Sequence, residues 1–88
     1  MSQAQVIHLP DQHCFVVDAE GQQARLDYYL SVDADGNNSS VNFTHTFVPE
    51  AARGKGLAEL LVRTGLTWAR EQQLPIMASC WYVAKFLR

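Results

Sequence analysis

The stretch Arg53-Gly54-Lys55-Gly56-Leu57-Ala58 decides how this chain is read. Ahead of it, Val41 to Val48 reads as a strand, with Val41, Phe43 and Phe47 on one face, Thr44 and Thr46 on the other, and His45 in line with the apolar three. Pro49 cannot donate to a ladder and ends that strand. Behind it, from Leu57 to Gln73, the apolar period lengthens: Leu57, Leu60, Leu61, Leu66, Trp68 and Ala69 make the broad stripe of an amphipathic helix. The two glycines therefore fall where a strand gives way to a helix N-terminus. Such a junction gathers unpaired N–H groups and the positive end of the helix dipole, which suits an anion such as a phosphate. Gly54 and Gly56 let the backbone approach a bulky ligand, Lys55 to Ala58 offer first-turn amides, and Arg53 and Lys55 add positive charge. An ordinary strand-to-helix loop, binding nothing, is the plainer reading of the same glycines.

Working outward, Cys14 to Asp18 reads as a short strand and Ala19 to Gln22 as a turn. From Gln23 to Val32, Ala24, Leu26, Tyr28 and Leu30 alternate with Arg25, Asp27, Tyr29 and Ser31, the pattern of a half-buried strand. Asp33 to Asn38 is dense in turn formers and predicts a hairpin connection. Gly65 lies inside the helix at a cost of up to ~1 kcal/mol relative to Ala, which close packing on a sheet would rationalise. Pro75 to Ser79 reads as a last strand and Trp81 to Arg88 as a terminal helix. Strand, strand, strand, helix, strand, helix implies an antiparallel meander followed by a β-α-β crossover, an α+β class of α/β sandwich. Trp68, Trp81 and Phe86 are expected in the core.

The chain has 88 residues, nearly half apolar, which predicts one small globular domain over residues 1–88. Its net charge of -2 supplies no general attraction for nucleic acid or anionic lipid. No window approaches the ~20 apolar residues of a membrane span. Cys14 and Cys80 lie far apart without framework spacing, and the polar start Met1 to Gln5 lacks a signal-peptide pattern, so the expected compartment is the cytoplasm. His8, His13 and Cys14 match no zinc pattern, and no metal is expected.

The segment Val48-Pro49-Glu50-Ala51-Ala52-Arg53-Gly54-Lys55-Gly56-Leu57-Ala58, followed by Leu60-Leu61-Val62, resembles the acetyl-CoA motif of the GNAT superfamily of N-acetyltransferases. That motif runs Arg or Gln, two residues, Gly, one residue, then Gly or Ala; Arg53, Gly56 and Ala58 fit it in register. Thr44 to Pro49 and Cys80-Trp81-Tyr82-Val83 are similar to the small, single-domain branch of that superfamily, and the likeness runs from about Asp18 onward.

The resemblance implies a minimal GNAT-like fold that binds acetyl-CoA as co-substrate and transfers its acetyl group to an amine. It implies that amides of Arg53, Gly54, Lys55, Gly56, Leu57 and Ala58 cradle the pyrophosphate. The pantetheine arm would then run along Thr46, Phe47 and Val48, close to Cys80 and Tyr82. Cys80 is either inert core, a lining of the thiol channel or an acetyl-accepting nucleophile, and the last role needs its pKa brought down from ~8.5. His45 is then its candidate base, and Tyr82 either protonates the departing thiolate or is a packed aromatic. Relative to a typical member, the chain is short of the N-terminal helices and last strands that wall the acceptor site. The acceptor stays open, as does the alternative of a non-catalytic CoA-binding module serving as sensor or partner subunit. Monomer and homodimer are equally compatible with the sequence.

Overall fold

The structure is a computed structural model and describes residues 5–19 and 21–87. Five strands form one sheet in chain order: β1 (Val6–Leu9), β2 (Cys14–Ala19), β3 (Gln22–Val32), β4 (Asn38–Phe47) and β5 (Ile76–Ala78). The first four pair antiparallel as a meander, and β5 joins β4 in parallel after the crossover helix α1 (Leu57–Glu71). A four-residue helix, α2 (Trp81–Ala84), and a 3-10 turn over Lys85–Leu87 complete the described fold. The α+β architecture expected from the sequence is thus present, with β1 as an addition to it.

Alternation in β3 places its side chains as expected. Ala24, Leu26 and Tyr28 are buried toward α1, while Tyr29 stands in solvent. Phe15 and Val17 of β2 and Val41 and Phe43 of β4 share that inner face with the helix residues Leu57, Leu61, Val62, Leu66 and Ala69. Each large apolar side chain buried here stabilises the fold by roughly 1.5–3 kcal/mol. The helix stripe is shifted slightly from the expected one, because Val62 is fully buried and Leu60 and Trp68 are only partly so. α1 also stops at Glu71, two residues early, where Gln73 takes a positive φ of 58° and the chain turns back.

Gly65 sits in the inward stripe of α1, and its cost in helix propensity has a local cause. A Cβ there would lie 2.9 Å from Leu26 Cδ2 and 3.0 Å from Phe43 Cε1. The glycine lets the helix press onto β3 and β4 at the centre of the sheet.

β1 escapes a reading by apolar pattern because, of its two inward positions, Val6 and His8, one is a histidine. His8 stacks on Phe15 at 4.2 Å, meets Trp68 edge-on at 4.9 Å, and its Nε2 lies 2.6 Å from the Tyr28 hydroxyl. Burial lowers the His8 pKa, which favours the neutral ring this packing needs. His13, in a left-handed turn after β1, lies 5.6 Å from the Tyr28 ring. Both histidines thus belong to an aromatic cluster, and Cys14 is fully buried with a pKa raised chiefly by that burial.

One irregularity governs the site. Between β3 and β4 the register runs Asp27↔His45 and then Tyr28↔Phe43, so Thr44 is an extra residue on β4. Such a bulge reverses the facing of everything beyond it. Thr46 lies opposite Leu26 on the inner face, whereas His45 and Phe47 lie opposite Asp27 and Arg25 and are exposed on the outer one. The expected alignment of His45 and Phe47 with Val41 and Phe43, with Thr46 opposed to them, is corrected accordingly. Uninterrupted alternation does not survive an inserted residue.

Candidate functional site

Past the bulge, β4 also loses its neighbour. The parallel ladder with β5 spans only Val41↔Ile76 to Phe43↔Ala78. Beyond it the Phe43 carbonyl accepts from the N–H groups of Ser79 (3.1 Å) and Cys80 (3.2 Å), and Asn42 Oδ1 accepts from Ser79 N at 2.9 Å. These bonds turn the chain out of the sheet at Cys80, and Thr44–Phe47 continues with no strand on that side among the described residues. The two strands splay, as the wedge of a parallel pair ending in different directions requires.

A cavity of about 400 Å³ occupies the splay. Its wall on β4 is Thr46, Phe47 and Val48. Its floor is the start of α1 with Ala52, Arg53, Gly54, Gly56, Leu57, Ala58 and Glu59, and its far wall is Cys80, Trp81 and Tyr82. Nearly every residue singled out in the sequence therefore meets in one place. Two of the expected site residues do not line it: Lys55, between the two glycines, and His45, which the bulge sends to the opposite face of the sheet.

The glycine turn has the geometry that its composition foretells. Gly54 and Gly56 take φ of 84° and 75°, a region that L residues seldom adopt, and a Cβ at either would point into open space. Gly56 is the N-cap of α1 and brings no side chain to satisfy the first-turn amides. Those N–H groups belong to Leu57, Ala58 and Glu59, which line the cavity at the positive end of the helix dipole. Arg53 Nε donates to the Val48 carbonyl at 3.1 Å, which ties the strand end to the turn and holds the guanidinium at the rim. Glu59, the acidic residue of that first turn, is paired with Arg63 at 2.9 Å, so its charge is partly offset.

At the opposite wall, Cys80 Sγ lies 3.5 Å from Thr46 Oγ1. Burial pushes the thiol pKa up, but hydrogen bonds from the Thr46 hydroxyl and from the backbone N–H groups of Val83, Tyr82 and Thr46 outweigh it, and the net shift is downward. Thr46, read in the sequence only as a strand residue beside a pantetheine arm, is the side chain bonded to the Cys80 thiol. The bulge was the missing signal. Tyr82 moves the other way: burial first, then the Glu59 charge, raise its pKa, and the phenol keeps its proton. Trp81 corrects an expectation. It is not core but 73% exposed, on the cavity rim.

The sheet order, the splayed β4–β5 pair and the glycine turn at the crossover helix define this as an α+β domain of GNAT-like fold. A family model described as GCN5-related N-acetyl-transferase matches residues 13–88, and the chain belongs to that family. Among curated proteins it is similar to Protein NATD1 of Bos taurus, 40% identical over 48 residues, which is 54% of this chain and 42% of the relative. The Homo sapiens protein of that name is 38% identical over 48 residues, with the same two shares, and that of Danio rerio 37% over 49, 56% of this chain and 44% of the relative. The matched stretch spans less than half the length of these relatives. Among solved structures, a ribosomal-protein-alanine N-acetyltransferase from Brucella melitensis biovar Abortus 2308 superposes with a TM-score of 0.57 at 20% identity, over 83% of this chain and 58% of that one. At that identity the likeness is one of fold.

Proposed function

We propose that this chain binds acetyl-CoA in the β4–β5 splay and transfers the acetyl group to an amine. The observation that carries the reading is one cavity joining the unpaired amides of the α1 N-terminus to a thiol with a lowered pKa. The donor set fits a pyrophosphate: two glycines whose missing Cβ atoms leave open space, first-turn amides without a side-chain cap, and an anchored Arg53. The edge of β4 at Thr46 and Phe47, which has no strand beside it on that side among the described residues, offers main-chain groups to the amides of a pantetheine arm.

The chemistry then falls to the far wall. Thr46 and the amides at the start of α2 hold Cys80 toward its thiolate, the form able to attack a thioester carbonyl. In that step the new C–S bond forms on Cys80 as the CoA thiolate leaves, and the Tyr82 phenol, protonated at neutral pH, is the group on hand to give it a proton. An acceptor amine, neutral when it attacks, then takes the acetyl group from Cys80. His45 has no part in this scheme, since it stands on the other face.

Calorimetric titration with acetyl-CoA tests the reading. Micromolar binding is expected, and Gly56→Glu, which puts bulk and negative charge over the first-turn amides, should abolish it. Cys80→Ala should retain binding and lose transfer. A wild-type chain that binds no acetyl-CoA overturns the proposal.

A further inference from the structure

Trp81 is a large indole left 73% in water on the rim of the cavity, where its apolar surface gains nothing for the fold. Its ring meets that of Tyr82 edge-on, with centroids 5.9 Å apart and planes at 87°. Two faces set at right angles make a corner. In that corner lies the Lys85 ammonium, with Nζ 4.6 Å from the Tyr82 centroid and 5.2 Å from that of Trp81. Both distances are within the reach of a cation–π contact.

Cys80, Trp81 and Tyr82 are consecutive and all line the cavity, and Lys85 reaches the two rings from outside that lining. Among the described residues the cavity lining holds one carboxylate, Glu59, and Arg63 is bonded to it. An arriving ammonium therefore meets aromatic faces near the thiol, in place of an acidic patch. We propose that the Trp81–Tyr82 corner is the acceptor subsite, that it reads a primary alkylammonium on an unbranched chain, and that Lys85 occupies it as an internal stand-in for the acceptor. This rests on the acetyl-transfer reading of the cavity. The overall exchange balances simply. The acceptor's C–N bond forms as the thioester C–S bond is spent, one ammonium proton ends on the CoA thiol, and a second goes to solvent. Lys85 competes for the corner, so the acceptor binds only after displacing it.

The probes are n-butylamine, an ammonium at neutral pH, and n-butanol, its neutral counterpart. Binding is followed by the indole N–H signal of Trp81 in NMR spectra of the isotope-labelled chain, first without acetyl-CoA. Lys85→Gln clears the corner and should tighten n-butylamine binding by roughly 2- to 30-fold, the span of one cation–π contact. Trp81→Leu in that background, followed through the Tyr82 ring signals, should cancel the gain. With acetyl-CoA present, Lys85→Gln should lower KM for n-butylamine by a similar factor. Equal binding by wild type and Lys85→Gln, or equal response to n-butanol, overturns the subsite. So does a Trp81→Leu variant that loses acetyl-CoA affinity as strongly as amine affinity, because the rings would then hold the nucleotide. Failure of acetyl-CoA to bind the wild type refutes transfer instead, and the amine titration still reports on the corner by itself.

Discussion

Replacing Gly65 by Ala sets two known effects against each other at one atom. In an exposed helix the change would stabilise by ~1 kcal/mol, because alanine restricts the unfolded chain. Here the added methyl meets Leu26 Cδ2 at 2.9 Å and Phe43 at 3.0 Å and 3.3 Å, in side chains that are themselves fully buried. Overpacking of a filled core costs ~1–3 kcal/mol. The second term outweighs the first, and the expected net loss is ~1 kcal/mol, or a Tm lower by roughly 4–8 °C in a domain of this size. Thermal and urea denaturation of the two proteins side by side would measure it. Shortening the obstacle with Leu26→Val should make the same Gly65→Ala change less costly, a coupling that a double-mutant cycle isolates. A Gly65→Ala protein as stable as the wild type, or more so, would refute the claim that glycine is there for helix–sheet contact.

The two cysteines should separate by reactivity: iodoacetamide alkylation of Cys80 should show a midpoint below that of the same thiol in the unfolded chain, while Cys14 reacts only on unfolding. Thr46→Val, which keeps the shape and removes the hydroxyl, should move the Cys80 midpoint upward, and an unmoved midpoint would show that Thr46 is not its support. Stability should fall as pH drops below about 6.5, because the unfolded His8 gains a proton that its buried, lowered-pKa folded counterpart resists; above that pH the contribution is complete. His8→Phe should flatten this acid limb in urea titrations at pH 5.5 and 7.5, and an unchanged difference between them would count against His8 as its origin.

The glycine turn and the helix it opens were legible because glycine punctuation and a change of apolar period coincide at Leu57. Alternation sufficed for β3, where Ala24, Leu26 and Tyr28 all turn inward. It failed in β4 because Thr44, His45 and Thr46 are polar on either face, so no hydropathy marks which of them is the extra residue. β1 was missed for a related reason: of its inward side chains, Val6 and His8, one is polar, and the partner that satisfies it, Tyr28, lies in another strand. Trp81 defied composition. An indole is normally core, but a four-residue helix has one inward face, and Val83 fills it.

The extra residue at Thr44 behaves as a parity bit for the strand. Upstream, odd-numbered side chains point to the helix; downstream, even-numbered ones do. A deletion of that single residue would heal the bulge and restore strict alternation, with Phe43 inward, His45 outward and Thr46 inward, so the occupants of the two surfaces would stay where they are. Keeping Thr44 but pairing it regularly with Asp27 would instead turn the His45 and Phe47 side chains inward and carry the Thr46 hydroxyl away from Cys80. Relatives of this domain that lack the extra residue should accordingly present the same side chains to the thiol, whereas relatives that keep the residue and lose the bulge should present the opposite set, whatever their percent identity.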